Sequence, residues 1–348
     1  MDINSIFKLS SSDEAGGYYF DDRVSAEQAQ IVIVSAPWSV TVDYGRGSAY
    51  APDAILDASA RIGLYDAASG LSLAGKVATA EADYDILELS EQLGSDAQKL
   101  VSHVEDGGSI TGEYFARKLA RVNGGAKRMH ASVQSQVERW ASEGKIVGVV
   151  GGEHSVSFGA VKAMSRRYEG LGVLMIDAHC DLRGEGRIFD YSHDSVARNI
   201  IDELPQVAKI VEVGVRDFSE EEVSFAAKSD RLRLFMHEHI MAERYRGKQW
   251  ATQCAEIVAQ LPQTVYVSLD VDALTIESCP STCRPVPGGI AFNEVVYLLN
   301  AVVDSGRKIV GFDITEVVPK IEYTHDATVG ARMLVKMCGA ALKGKTKR

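Results

Sequence analysis

Residues 171–181 read LGVLMIDAHCD. Six apolar residues pass without a spacer into a run with charged or imidazole side chains at every second position. A strand exposed on one face alternates polar and apolar residues. A strand apolar throughout is covered on both faces, as parallel strands between helices are. The same form recurs to either side: IVIVSAPW (31–38), KIVGVVGG (145–152), KIVEVGV (209–215), LRLFMH (232–237), TVYVSLDVD (264–272) and KIVGFDI (308–314). Helical periodicity occupies the intervals at 155–168, 219–228, 242–261 and 291–305, with a last helix over 326–342. The segment APDAILDASARIG predicts a helix with Pro52 in its first turn, where the missing N–H costs little. Residues 80–110 are polar and read as loop-rich, and a long helical pattern over 111–143 is expected to break at Gly124-Gly125. The alternation predicts an α/β fold, an open three-layer α/β/α sheet in one domain spanning 1–348.

The formal net charge of −11 argues against nucleic acid or an anionic membrane as a partner and is compatible with a cationic substrate. An acidic surface that serves solubility alone accounts for it equally well. No apolar run approaches the roughly 20 residues that span a bilayer. The N-terminal MDINSIFKLSSSDEAGG lacks the basic and apolar regions of a secretory signal. Five cysteines, at 180, 254, 279, 283 and 338, form no C-x-x-C pair, so a reduced cytoplasmic setting is expected. Cys279 and Cys283 are near enough in sequence to pair.

Open parallel sheets bind ligands beyond the carboxyl ends of their strands. Four such ends carry polar groups: Gly151-Gly152-Glu153-His154-Ser155, Asp177-Ala178-His179-Cys180-Asp181, Asp270-Val271-Asp272 and Asp313-Ile314-Thr315-Glu316. A single aspartate there is usually a cap or turn residue, but four polar ends on one face weaken that explanation. In extended chain, residues i, i+2 and i+4 point one way, which places Asp177, His179 and Asp181 on one side and Asp270 with Asp272 on another. Cys180 is expected to face away and pack as a small apolar residue. Carboxylates so crowded call for cations, and four aspartates with two imidazoles suit Mn²⁺, Fe²⁺, Co²⁺, Ni²⁺ or Zn²⁺. Four aspartates and two divalent ions sum to zero, and a bridging hydroxide makes the cluster negative, which favours a cationic substrate.

These blocks, GGEHS, DAHCDLR, SLDVDAL and DITEVVP, closely resemble the signature blocks of the ureohydrolase family, which includes arginase, agmatinase, guanidinobutyrase and formiminoglutamase. VTVDYGRGSAYAPDAILDAS (40–59) is similar to the family's substrate-entry segment and CPSTCRPVPGGI (279–290) to its loop after the DVD block, so the resemblance covers residues 30–342. It implies an arginase-like sandwich with an eight-stranded, mainly parallel sheet. It also implies two divalent ions per chain, manganese first and nickel as the alternative. By position, His154 and Asp181 resemble ligands of the first metal, His179 and Asp272 ligands of the second, and Asp177 and Asp270 the bridging pair. Glu316 resembles the carboxylate that pairs with the guanidinium, and His193 the mobile acid/base histidine. The implied reaction is hydrolysis of a guanidino C–N bond to urea and an amine, with Asp181 or His193 supplying the proton to the leaving amine.

Agmatine-like substrates lead. Arg183 stands where arginases carry an asparagine that contacts the amino-acid end of arginine, and DLR followed by YSH resembles bacterial and archaeal agmatinase-like sequences. Arg183 could also meet a substrate carboxylate or pair with Glu185 on the surface. Thr275-Ile276 and Cys283-Arg284 depart from common family residues, which leaves guanidine, substituted guanidines or biguanides, guanidinobutyrate, formiminoglutamate and arginine as alternatives. A non-catalytic subunit of a hetero-oligomer is the rival outside catalysis, although such subunits usually lose ligands that this chain retains. A one-metal amide hydrolase resembling histone deacetylases shares the fold class, but the paired DxHxD and DVD blocks point to two metals. The resemblance implies a homo-oligomer, trimeric or hexameric. His237 and His239 lack acidic neighbours and are read as structural, and His103, His130 and His325 carry no assigned chemistry.

Overall fold

The computed structural model describes residues 17–42, 47–184, 186–320 and 324–346. In chain order the elements are β1 (Ile31–Ala36), α1 (Ala51–Ser59), a small hairpin of β2 (Tyr65–Asp66) and β3 (Leu71–Ser72), β4 (Val77–Thr79), α2 (Tyr84–Glu105) and α3 (Glu113–Ser142). Then follow β5 (Ile146–Gly151), α4 (Ser157–Arg167), β6 (Leu171–Ile176), α5 (Val196–Glu203), β7 (Val207–Val213), α6 (Glu220–Lys228) and β8 (Leu232–Phe235). The chain closes with α7 (His237–Tyr245), α8 (Trp250–Ala259), β9 (Thr264–Asp270), α9 (Phe292–Asp304), β10 (Lys308–Thr315) and α10 (His325–Thr346). Eight strands form one sheet in the order β4-β1-β5-β10-β9-β6-β7-β8, every neighbouring pair parallel.

The unbroken apolar runs have the cause inferred from sequence. Successive strand residues point to opposite faces, and each face is a core. Ile31 and Ile33 belong to one buried apolar cluster that includes Ile55 of α1, Ile257 of α8, Leu298 of α9 and Met333 of α10. Val32 and Val34 belong to a second, with Leu93 of α2, Met129 of α3, Phe158 of α4 and Ile200 of α5. The sheet is therefore the middle of three layers, all parallel rather than mainly so.

The structure differs from three of the helical expectations. Residues 84–105, within the stretch read as loop, form α2. Its apolar face is sparse, Ile86, Leu93, Ala97 and Leu100, and it packs on α3. Helix α3 runs unbroken through Gly124-Gly125. A side chain on Gly125 would meet Leu93 and Trp38, so that glycine serves close packing rather than a break. The single helix read over 242–261 belongs to α7 and α8, which are separated where Gly247 takes a left-handed φ of 92°. The edge strand β4 has only three residues and escaped the pattern. None of the five cysteines is in a disulfide, the 279–283 pair included. Among the described residues no helix is long and apolar enough to cross a membrane.

Candidate active site

The four polar strand ends belong to four adjacent strands at the sheet centre, β5, β10, β9 and β6, and open on the same edge. His154 begins a short 3-10 turn after β5. Its Nδ1 lies 2.9 Å from Asp177 Oδ2, 2.8 Å from Asp181 Oδ2 and 3.5 Å from Asp270 Oδ2. Candidate ligand atoms of His154, Asp177 and Asp270 all fall within 4.8 Å of one another. His179 Nδ1 lies 3.5 Å from Asp177 Oδ1 and 3.6 Å from Asp272 Oδ2. The six residues thus form two overlapping groups that share Asp177, and all six are buried.

Local turns, not an extended period of two, bring them together. Asp177 Oδ1 accepts the amide of His179 at 2.8 Å, and Asp270 Oδ1 accepts that of Asp272 at 2.7 Å. Each aspartate so folds the chain back two residues later. Asp272 lies in a 3-10 turn, Val271–Ala273, and Asp181 has φ +50°. Cys180 faces the apolar layer, as expected.

Several features of the cluster fit divalent cations. Among the described residues His154 Nδ1, Asp177 Oδ2 and Asp272 Oδ1 are buried and make no hydrogen bond, although carboxylate oxygens stand 2.8–2.9 Å from that nitrogen. Close approach without hydrogen-bond alignment is what donors aimed at a common ion display. Burial and like charge push Asp270 well above the ordinary carboxylate range and Asp272 up to about 7, strain that a cation relieves. The imidazole of His154 is oriented from behind. Its Nε2 lies 2.9 Å from Ser268 Oγ, whose hydroxyl donates to Asp313 Oδ1 at 2.7 Å. Nε2 therefore carries a hydrogen, and Nδ1 is the nitrogen turned toward the carboxylates. Asp313, at a strand end that the sequence singled out, supports Ser268 and stands outside the converging group.

Glu316 follows β10 with φ +65°. Its Oε1 accepts the amide of His154 at 2.6 Å, and its Oε2 is buried without a hydrogen bond among the described residues. Burial raises its pKa, with the nearby His193 acting against the rise. His193 opens a 3-10 turn before α5 and is buried, its Nδ1 3.2 Å from Thr41 Oγ1 and its Nε2 without a partner among the described residues. Burial lowers the His193 pKa, but Asp194, Glu316, Glu153 and Asp181 outweigh it and the net shift is upward.

Arg183 pairs with Asp194, Nη1 to Oδ2 3.0 Å. Glu185, the partner weighed from sequence, lies outside the described residues, as do 43–46 of the entry segment. Arg183 and Arg284 line a cavity of about 200 Å³ over His179 and Asp181, with Asp217, Phe218 and Glu222. Arg284 Nη2 is 3.3 Å from Asp217 Oδ2. The remaining histidines stand outside the converging group: His237 accepts from the Gly289 amide, His239 is exposed, His103 stacks on Phe115, His325 meets Ser278 O, and His130 is wedged between Phe158 and Tyr191.

Two residues at the site escaped the sequence reading, Glu153 and Thr41. Glu153 is fully buried and hydrogen-bonded to Thr41, which in turn touches His193. The available signal was a charged residue inside the GGEHS block with no assigned role; its partner is 112 positions away.

Residues 29–339 match the model of the Arginase family. The N(1)-aminopropylagmatine ureohydrolase of Thermus thermophilus is 28% identical over 91% of this chain and 92% of that protein. The agmatinase of Bacillus anthracis is 27% identical over 93% and 96%. Among solved structures, the agmatine ureohydrolase of Thermoplasma volcanium superposes with a TM-score of 0.69 at 22% identity, covering 97% of this chain and 98% of that one. The proclavaminate amidino hydrolase of Streptomyces clavuligerus gives 0.72 at 19%, covering 95% and 98%, and this likeness bears on the fold. Strand order, the converging strand ends and a family match across nine-tenths of the sequence agree that the chain belongs to the arginase family and is a metal-dependent ureohydrolase cleaving a guanidino C–N bond.

Proposed function

We propose that this protein is an agmatinase-like hydrolase that releases urea from an amine-bearing guanidino compound. In this reading His154, Asp177, Asp181 and Asp270 hold one divalent ion, and His179, Asp177, Asp270 and Asp272 hold the other. Manganese is the first choice and nickel the second. The observation that carries the reading is Glu316: one carboxylate oxygen is tied to the amide of the ligand His154, and the other is buried beside the cluster without a partner. A planar cation with N–H donors supplies that partner.

Bound divalent ions supply Lewis acidity and make hydroxide available near neutral pH. The protein's own groups do the rest. Glu316 orients the guanidinium against the carboxylate edge. His193, with an unpartnered Nε2, takes up and returns the proton that the leaving amine needs, and Asp181 stands as the second candidate. Asp194, Asp217 and Glu222 at the mouth outnumber Arg183 and Arg284, and this acidic excess supports an amine-bearing tail. The presence of Arg183 and Arg284 in that same cavity favours a guanidino acid as the second reading.

The test is urea release from agmatine, N(1)-aminopropylagmatine, guanidinobutyrate, guanidine and arginine after loading with Mn²⁺, Ni²⁺, Co²⁺ or Zn²⁺. Preference for agmatine or its aminopropyl derivative supports the reading. Preference for guanidinobutyrate replaces it with the second, and silence on all five overturns both. We further place the protein in the cytoplasm as a homo-oligomer, a trimer or hexamer, which light scattering of the purified chain checks.

A further inference from the structure

The hydroxyl of Thr41 has one hydrogen and two lone pairs, and it has three neighbours. Glu153 Oε1 is at 2.9 Å, the backbone amide of His193 at 3.1 Å and His193 Nδ1 at 3.2 Å. An amide can only donate, so it occupies one lone pair. The hydroxyl hydrogen then goes either to Glu153 or to Nδ1.

Glu153 decides between them. Its Oε2 accepts the amides of Val40 at 2.7 Å and Thr41 at 2.8 Å, and its Oε1 accepts the hydroxyl of Ser155 at 2.7 Å. Three donors besides Thr41 aimed at one fully buried carboxyl match the ionised, acceptor-only form. If Thr41 gave its hydrogen to the imidazole, a carboxylate oxygen would face an oxygen lone pair at 2.9 Å away from water. If it gives the hydrogen to Glu153, a charge-assisted bond forms and the second lone pair accepts from Nδ1–H.

We propose that Glu153, acting through the hydroxyl of Thr41, fixes the imidazole of His193 with a hydrogen on Nδ1 and the lone pair of Nε2 turned to the reaction site. Nε2 then gains one proton and loses it again in each cycle while Nδ1 keeps its own, and the bond to Thr41 is the same in both states. Thr41 and Glu153 are positioning residues. The proposal rests on the acid/base role given to His193 above, but the tautomer itself does not depend on which substrate is cleaved.

The polarity of the chain makes a sharp test. Oε2 sits between two amides, so in Glu153→Gln the amide oxygen must stay there and the NH₂ faces Thr41. The NH₂ donates to Thr41, Thr41 donates to Nδ1, and the imidazole hydrogen moves to Nε2. Nitrogen-15 NMR of imidazole-labelled protein loaded with diamagnetic Zn²⁺ reads the tautomer, with the His193 signals assigned by their loss in His193→Gln. The wild type and Thr41→Ser should show Nδ1–H, and Glu153→Gln should show Nε2–H. Thr41→Val, which keeps the shape without the hydroxyl, should lose the pure Nδ1–H signature if Glu153→Gln does not fold. On an active metal form, Thr41→Val should lower kcat at least about tenfold with KM and metal content nearly unchanged, and Thr41→Ser should restore it. An Nε2–H tautomer in the wild type, or one unmoved by Glu153→Gln and Thr41→Val, overturns the proposal. Tautomers as expected in a protein that releases no urea would instead overturn the guanidino reading and leave this one standing.

Discussion

Glu316 and Asp181 are L-residues held at φ +65° and +50°, a region that costs about 1–2 kcal/mol each. At Glu316 the conformation is offset by two bonds: its amide donates to Gly152 O at 2.8 Å, and its carboxylate takes the His154 amide at 2.6 Å. Glu316→Gln keeps this geometry and removes the charge. Metal content should stay at the wild-type level while kcat/KM falls by roughly a hundredfold, the cost of unpairing a buried charge. Unchanged kinetics would remove Glu316 from guanidinium binding. Asp177→Ala strips one of the two residues proposed as common to both ligand groups, so elemental analysis should find at most one ion per chain, with turnover nearly abolished. His130 offers a pH test far from any ion. Burial holds its pKa down at about 3 against an ordinary 6.5. The unfolded chain binds the extra proton between those values, so this residue withdraws stability as pH falls below 6.5. At pH 5 the loss is about 2 kcal/mol. His130→Leu should flatten the fall in unfolding free energy between pH 6.5 and 5, and an unaltered slope would refute the burial argument.

At the scale of elements, the segments that follow β1 and β5 continue side by side beyond the sheet. The Gly152 amide donates to Ala36 O at 3.1 Å and that of Glu153 to Trp38 O at 2.8 Å. A Cβ on Gly152 would collide with the Trp38 carbonyl. Gly152→Ala should therefore cost about 1–3 kcal/mol in thermal unfolding and reduce activity by moving Thr41 off Glu153. Gly124→Ala, on the exposed face of α3 with nothing near, should stabilise by about 0.5–1 kcal/mol. Equal effects from the two would show that close approach is not what Gly152 provides. The same contrast explains what could be read in advance. Strands such as 171–176 announce themselves because both faces are apolar, and their polar ends name the site directly. Helix α2 hides because Asp85, Glu88, Glu91 and Gln92 surround a thin apolar stripe. Asp272 and Asp181 come near the two histidines through turns that the extended-chain argument does not describe. Glu153 and Thr41 could not be joined, since only folding reveals a contact across 112 positions.

For the whole molecule, the burial of Asp181, Asp270, Asp272 and Glu316 beside Asp177 stores repulsion in the metal-free state. Ions that bind only the folded protein add about 3 kcal/mol at a hundredfold excess over Kd. Chelation should lower Tm by several degrees, with recovery on adding Mn²⁺. A Tm indifferent to chelator and metal would contradict a preformed ion site. Strand order carries a consequence for how the enzyme comes to hold its metal. β10 is the last strand in the chain, yet it lies between β5 and β9. Until it emerges from the ribosome, β4, β1 and β5 with His154 make one ladder, and β9, β6, β7 and β8 with the five other proposed ligands make another. Nothing in the sheet joins the two. Completion of the site proposed for the ion at His154 is thus an event of the finished chain: a ribosome-bound product short of residue 308 keeps His154 on one piece and Asp177, Asp181 and Asp270 on another, whereas the residues proposed for the second ion already share a piece.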